Sequence, residues 1–233
     1  TILSLFTWQF FSYFRDKDIR YAIDPSAENA VTFLKQENIT GPFFNNFDIG
    51  SFLIYKLYPK ERVFVDGRPE AYPADFFTKV YIPMQQNPKL FDKVANKYGI
   101  QTIFYAHTDQ TPWGDAFLKS IVTHPDWRIV YLDEYAIILL RKTPENEPAI
   151  KRLGMDRSSL RVSLSTDSFN AHLRLASFFS KVGWGKEGEP HYLALLRYKP
   201  EFCPAIGLLA QMYQAEQSPA AEIYTQKYSL HCL

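Results

Sequence analysis

The residues best suited to binding chemistry lie in one stretch of the sequence, 45–72, which contains two acidic turns. These turns are Asp48-Ile49-Gly50 and Asp66-Gly67-Arg68, and in an α/β unit both can lie at the same edge of a sheet. An aspartate at a strand end orients a nearby arginine through charge-assisted hydrogen bonds, which leaves part of the guanidinium available to a phosphate or carboxylate. Asparagine and tyrosine side chains can add neutral hydrogen bonds, and the predicted ligand-binding set is Asn45, Asn46, Asp48, Asp66, Arg68 and Tyr72.

A purely structural interpretation of these residues stays open. Asp before Gly is favoured in any tight turn, and Asp48 is well placed to cap a helix. The sequence contains no complete motif for phosphate binding, dinucleotide binding, a nucleophilic serine or a zinc protease. His107 follows a predicted strand and has Asp109 nearby, but we interpret it as a surface or capping histidine. We therefore predict no catalytic residue, no cofactor and no metal site.

The composition indicates a globular chain without a strong preference for charged partners. Of its 233 residues, 46% are hydrophobic, which is enough for the core of one medium domain and one small one. The 26 Lys and Arg residues nearly balance the 25 Asp and Glu residues, so we predict no nucleic-acid partner. Cys203 and Cys232 show neither zinc-ligand spacing nor a disulfide pattern, and we interpret both as small buried apolar residues.

The first residues, 1–20, have the pattern of a transmembrane or membrane-proximal helix that leaves the bilayer. An almost uncharged run ends with Trp8 and Tyr13, and Arg15 and Asp16 follow soon after, in the order of an aromatic belt and then charges at a membrane surface. Because this run is too short to span a bilayer alone, we expect the chain to begin inside a longer membrane protein. The alternative is an amphipathic or buried N-terminal helix.

Residues 21–142 alternate predicted helices with short apolar strands, which is typical of an α/β domain with a mixed sheet in two or three layers. The strands are predicted at 43–45, 62–65, 102–105, 127–132 and 135–140. Because only Asp133-Glu134 separates the last two, they must form an antiparallel hairpin. The helices between the strands are predicted near 25–38, 48–57, 75–84, 88–98 and 113–122.

The remaining residues are predicted to form a linker, 143–167, and an all-α unit, 168–233. Leu175-Ala176 recurs as Leu209-Ala210 after 34 residues, which is the period of tetratricopeptide repeats, and an aromatic residue follows each copy at the same distance. Helix pairs of this kind bury their apolar faces by stacking on neighbouring pairs. The alternative is an unrelated helical hairpin.

Two motifs within residues 20–141 resemble those of membrane glycosyltransferases. The segment 46–50 followed by Val65-Asp66-Gly67 is similar to the W-W-D-Y-G motif and the later V-D-G turn in the C-terminal soluble domain of oligosaccharyltransferase catalytic subunits. The segments 44–55 and 63–68 more closely resemble the tails of bacterial multi-span proteins of the glycosyltransferase C superfamily, which often carry tetratricopeptide repeats. Asn46 and Phe47 replace the two tryptophans of the first motif, so the resemblance does not extend to peptide recognition.

This resemblance implies a non-catalytic, extracytoplasmic C-terminal domain, periplasmic or at the cell surface, of a polytopic membrane protein that uses polyprenyl-linked sugars. The N-terminal portion of that protein would provide the contact with the membrane. A polyprenyl-phosphate sugar would be the ligand at the two acidic turns.

Two other functions stay open on the sequence alone. In the first, the helical repeat binds a protein partner and the α/β domain is its scaffold. In the second, the chain is a free-standing soluble enzyme with a site at Asp48, Asp66, Arg68 and His107, although no nucleophile or metal-ligand set accompanies these residues.

Overall fold

A mixed sheet with helices on both faces, followed by a helical region, makes up the computed structural model, which describes residues 25–233. The predicted membrane-proximal segment, residues 1–20, lies outside the described residues. Within 25–233, no helix combines the length and the hydrophobicity that crossing a bilayer requires. The predicted α/β class with a mixed sheet is confirmed.

The helices and strands have the following bounds. The α-helices are α1 (Pro25–Gln36), α2 (Phe47–Leu57), α3 (Ile82–Gln86), α4 (Pro88–Tyr98), α5 (Pro112–Ile121), α6 (Glu147–Leu153), α7 (Phe169–Val182), α8 (Gly185–Tyr198), α9 (Cys203–Ala215) and α10 (Ala220–His231). The strands are β1 (Phe43–Asn45), β2 (Thr102–Ala106), β3 (Trp127–Leu132) and β4 (Ala136–Arg141). Short 3₁₀ turns cover Pro69–Ala71 and Arg157–Ser159, and a π-helical turn covers Phe77–Tyr81.

The strands of the described chain pair in the order β1-β2-β4-β3. β1 runs parallel to β2, whereas β4 is antiparallel to both β2 and β3, so the predicted hairpin is confirmed. Successive side chains point to opposite faces of the sheet, with Ile103 and Tyr105 in one core and Phe104 and Ala106 in the other. Helices α1 and α2 cover one face, and α4, α5 and α7 cover the other, which gives three layers.

Local capping fixes the helices next to the carboxyl end of β2. Asn87 accepts a hydrogen bond from the Leu90 N–H at the start of α4, and Thr111 accepts one from the Gly114 N–H at the start of α5. Each cap is followed by proline at the first helical position, where the missing N–H costs nothing. The cap at Thr111 therefore determines where the loop between β2 and α5 ends.

The strand predicted at 62–65 is wrong, because a side chain holds this segment beside β1. The Oδ1 atom of Asn45 accepts the Phe64 N–H at 2.9 Å, and its Nδ2 atom donates to the Val65 carbonyl at 2.8 Å. A strand at 62–65 would require backbone hydrogen bonds to β1, and β1 ends at Asn45. Val65 is nevertheless fully buried, as its apolar neighbours in the sequence predict.

The helix predicted at 75–84 is interrupted by the π-helical turn before α3. Pro83 has no N–H to donate to the carbonyl of Lys79, so a regular α-helix would lose a hydrogen bond here. The wider turn precedes this proline and places Phe77 beside Tyr81, with ring centroids 5.7 Å apart. Both rings reappear in the cavity described below.

Residues 143–167, predicted as a linker, contain α6 and pack along the hairpin. Isolated bridges join Met155 to Ile129 and Ser163 to Asp133. The Ser165 N–H donates to the Glu134 carboxylate at 3.3 Å. These contacts connect the segment to the edge strand β3 and to the turn that follows it.

Helices α7 to α10 follow in order, and each packs against the next in sequence. The first of them also packs on the α/β layers, where Phe178 lies 4.9 Å from the ring of His107. An ion pair of 2.9 Å joins Lys181 of α7 to Asp115 of α5. The helical region and the α/β layers therefore share a continuous core.

The interpretation of Cys203 and Cys232 as small buried apolar residues is wrong, because both are half-buried and bonded to each other. Cys203, at the start of α9, forms a disulfide with Cys232, just after the end of α10, and their Cα atoms are 5.6 Å apart. The two residues are separated by 29 positions in the sequence, and the packing of α9 against α10 brings them to the same end of the helix pair. Sequence spacing alone did not show this pairing.

Candidate functional site at the carboxyl ends of two parallel strands

A buried asparagine joins the ends of β1 and β2. Asn46, the first residue after β1, accepts the Ala106 N–H at 2.9 Å through Oδ1 and donates from Nδ2 to the Ala106 carbonyl at 3.2 Å. The same Nδ2 atom donates to Oδ2 of Asp109 at 3.3 Å. One side chain thus continues the parallel pairing beyond β1 and positions an acidic residue in the loop after β2.

Asp66 closes the loop 66–72 through a bidentate ion pair with Arg68. Oδ1 of Asp66 accepts from Arg68 Nε at 2.9 Å and Oδ2 from Nη2 at 2.8 Å, while Tyr72 donates its hydroxyl to Oδ2 at 3.2 Å. The Arg68 hydrogen bonds hold the pKa of the Asp66 carboxyl below its usual value, whereas burial raises the pKa of Tyr72. The predicted pair of Asp66 and Arg68 is therefore present, and the ionised Asp66 also accepts a hydrogen bond from a neutral Tyr72.

A cavity of about 250 Å³ opens between the first turn of α2, the segment 69–82 and the loop 109–113. We call it the edge cavity, because it lies where the carboxyl ends of parallel strands β1 and β2 meet. Such crevices are where open α/β sheets bind ligands. It is lined by Phe47, Asp48, Pro69, Phe77, Tyr81, Ile82, Asp109, Thr111 and Trp113.

Two carboxylates with different surroundings face the edge cavity. Asp109 is 5% exposed, and its Oδ1 atom accepts the Thr111 N–H at 2.7 Å while Oδ2 accepts from Asn46 and from the Tyr105 hydroxyl. Asp48 is more exposed and has no hydrogen-bond or ion-pair partner within residues 25–233. Burial, and then the charge of Asp109, raise the pKa of Asp48. An added positive charge would relieve this repulsion.

The aromatic wall of the edge cavity is held by contacts between its own members. The Phe47 N–H donates to the Tyr81 hydroxyl at 2.8 Å, and the Phe47 and Phe77 rings meet edge to face at 5.8 Å. Burial raises the pKa of Tyr81, so its hydroxyl stays neutral and available as a donor. Tyr72 packs against Phe77 at 5.5 Å, which joins this wall to the Asp66 loop.

The predicted site residues therefore divide into three groups. Asp48 lines the edge cavity, and Asn46 positions Asp109 within it. Asn45 holds the segment 64–65 beside β1, and the remaining predicted residues, Asp66, Arg68 and Tyr72, build the adjacent loop.

Sequence reasoning missed the cavity residues that come from outside the two motifs. They are Phe77, Tyr81, Asp109, Thr111 and Trp113. The sequence contains a usable signal, because Asp109 to Trp113 lie in the segment after β2 and include a cap, a proline and a half-buried aromatic residue.

The interpretation of His107 as a surface or capping residue is wrong. Its side chain is 1% exposed, and Nε2 lies 2.9 Å from the Asp133 carbonyl, while Nδ1 has no partner among the described residues. Burial lowers the pKa of His107 to about 4, so the ring is neutral at pH 7. Its ring packs on Phe178 of α7 and does not line the edge cavity.

Comparison of the chain with protein-family models, curated proteins and solved structures gives no significant match.

Proposed function

We propose that this chain is the non-catalytic extracytoplasmic C-terminal domain of a polytopic membrane glycosyltransferase-like protein, and that it binds the sugar of a polyprenyl-linked donor. The observation that carries the proposal is the position of the edge cavity, at the carboxyl ends of parallel strands beside both acidic turns. The sequence resemblance to glycosyltransferase C proteins suggests the class of ligand.

The walls of the edge cavity suit one sugar ring. Aromatic rings such as Phe77 and Trp113 can pack against the apolar C–H face of a pyranose. The carboxylates of Asp48 and Asp109 and the hydroxyl of Thr111 can accept hydrogen bonds from sugar hydroxyls. At about 250 Å³, the cavity is smaller than most pockets for drug-sized ligands, which span roughly 300–1,000 Å³. A single ring therefore fits it better than an oligosaccharide.

Arg68 is the residue that would bind the phosphate of the polyprenyl-linked donor. Its side chain is 63% exposed, and the pair with Asp66 uses Nε and Nη2, which leaves Nη1 free for another acceptor. The next residue, Pro69, lines the edge cavity. A guanidinium that is already oriented by a carboxylate is well suited to bind a phosphate at the cavity rim.

The Cys203–Cys232 disulfide supports an extracytoplasmic location. Stable disulfides are common in secreted, periplasmic and surface proteins and rare in the reducing cytosol. The bond joins the ends of two helices far from the edge cavity in sequence, so it supports the compartment independently of the ligand.

A second candidate function is a protein-interaction module built on tetratricopeptide-like repeats. Leu175 and Leu209 are both fully buried, and they occupy corresponding positions on α7 and α9, 34 residues apart. The aromatic residues Phe179 and Tyr213 also correspond, and both contribute to the same core. On α10, Ile223 is 56% exposed, as expected where a further repeat or a partner would pack.

Calorimetric titration with a short-chain, water-soluble polyprenyl-phosphate sugar tests the first proposal. Trp113→Ala and Arg68→Ala are each expected to weaken binding about tenfold or more, because one loses the ring contact and the other the phosphate contact. The matched controls are Tyr55→Ala, which removes an aromatic ring that is 72% exposed, and Arg62→Ala, an exposed arginine.

Equal affinities for Trp113→Ala and Tyr55→Ala would refute sugar binding in the edge cavity. The interaction-module proposal predicts a different pattern for the full-length parent protein. There, Ile223→Asp would abolish binding to a protein partner, while Trp113→Ala would leave it unchanged.

A further inference from the structure

The charge balance of the edge cavity points to a more specific ligand than a neutral sugar. Among the described residues, its lining includes two carboxylates and four aromatic rings and no basic side chain. We infer that the edge cavity selects a ligand with a protonated amino group, such as an amino sugar. This inference rests on the proposed sugar-binding function and deepens it.

Two basic residues that lie close to the cavity are already paired with carboxylates that do not line it. Arg68 is paired with Asp66 at 2.8 Å, and Lys181 is paired with Asp115 at 2.9 Å. Lys181 also donates to Asp109, but to its backbone carbonyl and not to its carboxylate. The negative charge of the cavity is therefore available to a ligand cation.

Asp48 is the group that such a cation would contact first. Its carboxylate has no partner in the described part of the chain, whereas Asp109 is held by Asn46 and the Thr111 N–H. Asp48 belongs to the first turn of α2, where a carboxylate is favourable, and it can accept a charge-assisted hydrogen bond from an ammonium group. Asp109 is thus fixed in the wall of the edge cavity, whereas the carboxylate of Asp48 is free to bind a ligand.

The aromatic rings favour an organic ammonium group over a metal ion. Ammonium groups are attracted to the faces of Trp, Tyr and Phe, and the attraction is stronger where water is excluded. Calcium requires six to eight oxygen ligands and magnesium keeps several waters in place, which an apolar wall cannot provide. The described residues also contain no cluster of three or more potential metal ligands.

The test uses the whole 233-residue chain and compares three sugars that differ only at one ring substituent with a cyclic amine that has no hydroxyl groups. Calorimetric titration is carried out at pH 7 with methyl glucosaminide, its N-acetylated form, methyl glucoside and cyclohexylamine. The free amine is expected to bind about tenfold more tightly than the N-acetylated sugar, because a charge-assisted hydrogen bond is lost on acetylation. Asp48→Asn should remove that preference, so that the free amine and the N-acetylated sugar bind with equal affinity.

The matched control is Asp75→Asn, an exposed carboxylate paired with Lys79 outside the cavity, which should keep the preference. Equal affinity for the three sugars would overturn the amine inference and leave sugar binding intact. Binding of cyclohexylamine without any sugar would support the cation site and refute the sugar function. If none of the four compounds binds, both are refuted.

Discussion

Replacing Asn46 by alanine removes the side chain that joins β1, β2 and the loop containing Asp109. Three hydrogen bonds are lost, two with the backbone of Ala106 and one with the carboxylate of Asp109. Asn46 is fully buried, so water cannot replace them at low cost. An unsatisfied buried N–H costs about 1–3 kcal/mol, and each further lost bond costs about 1 kcal/mol. We expect Asn46→Ala to lower the free energy of unfolding by about 3–5 kcal/mol.

Urea unfolding, followed by circular dichroism and tryptophan fluorescence, measures this change. The matched control is Asn87→Ala, the same substitution at an exposed helix cap, where the loss should be about 1 kcal/mol. If Asn46→Ala is no more destabilising than Asn87→Ala, the junction at the carboxyl ends of the strands does not exist as described.

Three further perturbations test other parts of the structure. A Cβ atom at Gly50 would lie 2.0 Å from the Val65 carbonyl oxygen, so Gly50→Ala should reduce the unfolding free energy by about 2 kcal/mol or more, while Gly67→Ala should cost less; equal effects in urea unfolding would contradict the close approach. Burial lowers the pKa of His191 to about 4, and its Nδ1 lies 2.9 Å from Nδ1 of His172. Because the unfolded chain binds a proton at this position near pH 6.5, stability should fall as the pH drops from about 6.5 to 4, and His191→Gln should reduce that fall by about 2 kcal/mol; an unchanged pH profile would refute the assignment. Cys203→Ser removes the disulfide that closes a loop across 29 positions, so it should lower the free energy of unfolding of the α9–α10 pair by about 3 kcal/mol. Detection of free thiols in the unreduced wild-type protein would show that the disulfide does not form.

Signals carried by neighbouring residues made most of the fold predictable. The sequence Thr111-Pro112 gives both a cap and a first helical residue, and the turn Asp133-Glu134 leaves no room for anything but a hairpin. Alternation of side chains across β2 follows from strand geometry alone. Such features depend on a few adjacent residues, which a single sequence displays directly.

Features that depend on distant residues were missed or misassigned. The segment 62–65 has the composition of a strand. Hydrogen bonds to the side chain of Asn45, and not the backbone hydrogen bonds of a sheet, hold it beside β1. The edge cavity combines rings from positions as far apart as Phe47 and Trp113, and no local pattern relates them. The disulfide likewise needed the packing of α9 on α10, which brings distant cysteines together.

The central claim is that the edge cavity binds a ligand, and the indole N–H of Trp113 reports on it most directly. In ¹⁵N NMR spectra of the chain titrated with a water-soluble polyprenyl-phosphate sugar, the Trp113 signal, assigned with Trp113→Phe, should shift and reach saturation. The signals of the buried Trp127 and Trp184 should stay in place, because neither residue lines the cavity. A Trp113 signal that does not move at saturating ligand, or that moves no more than these two, would contradict the account.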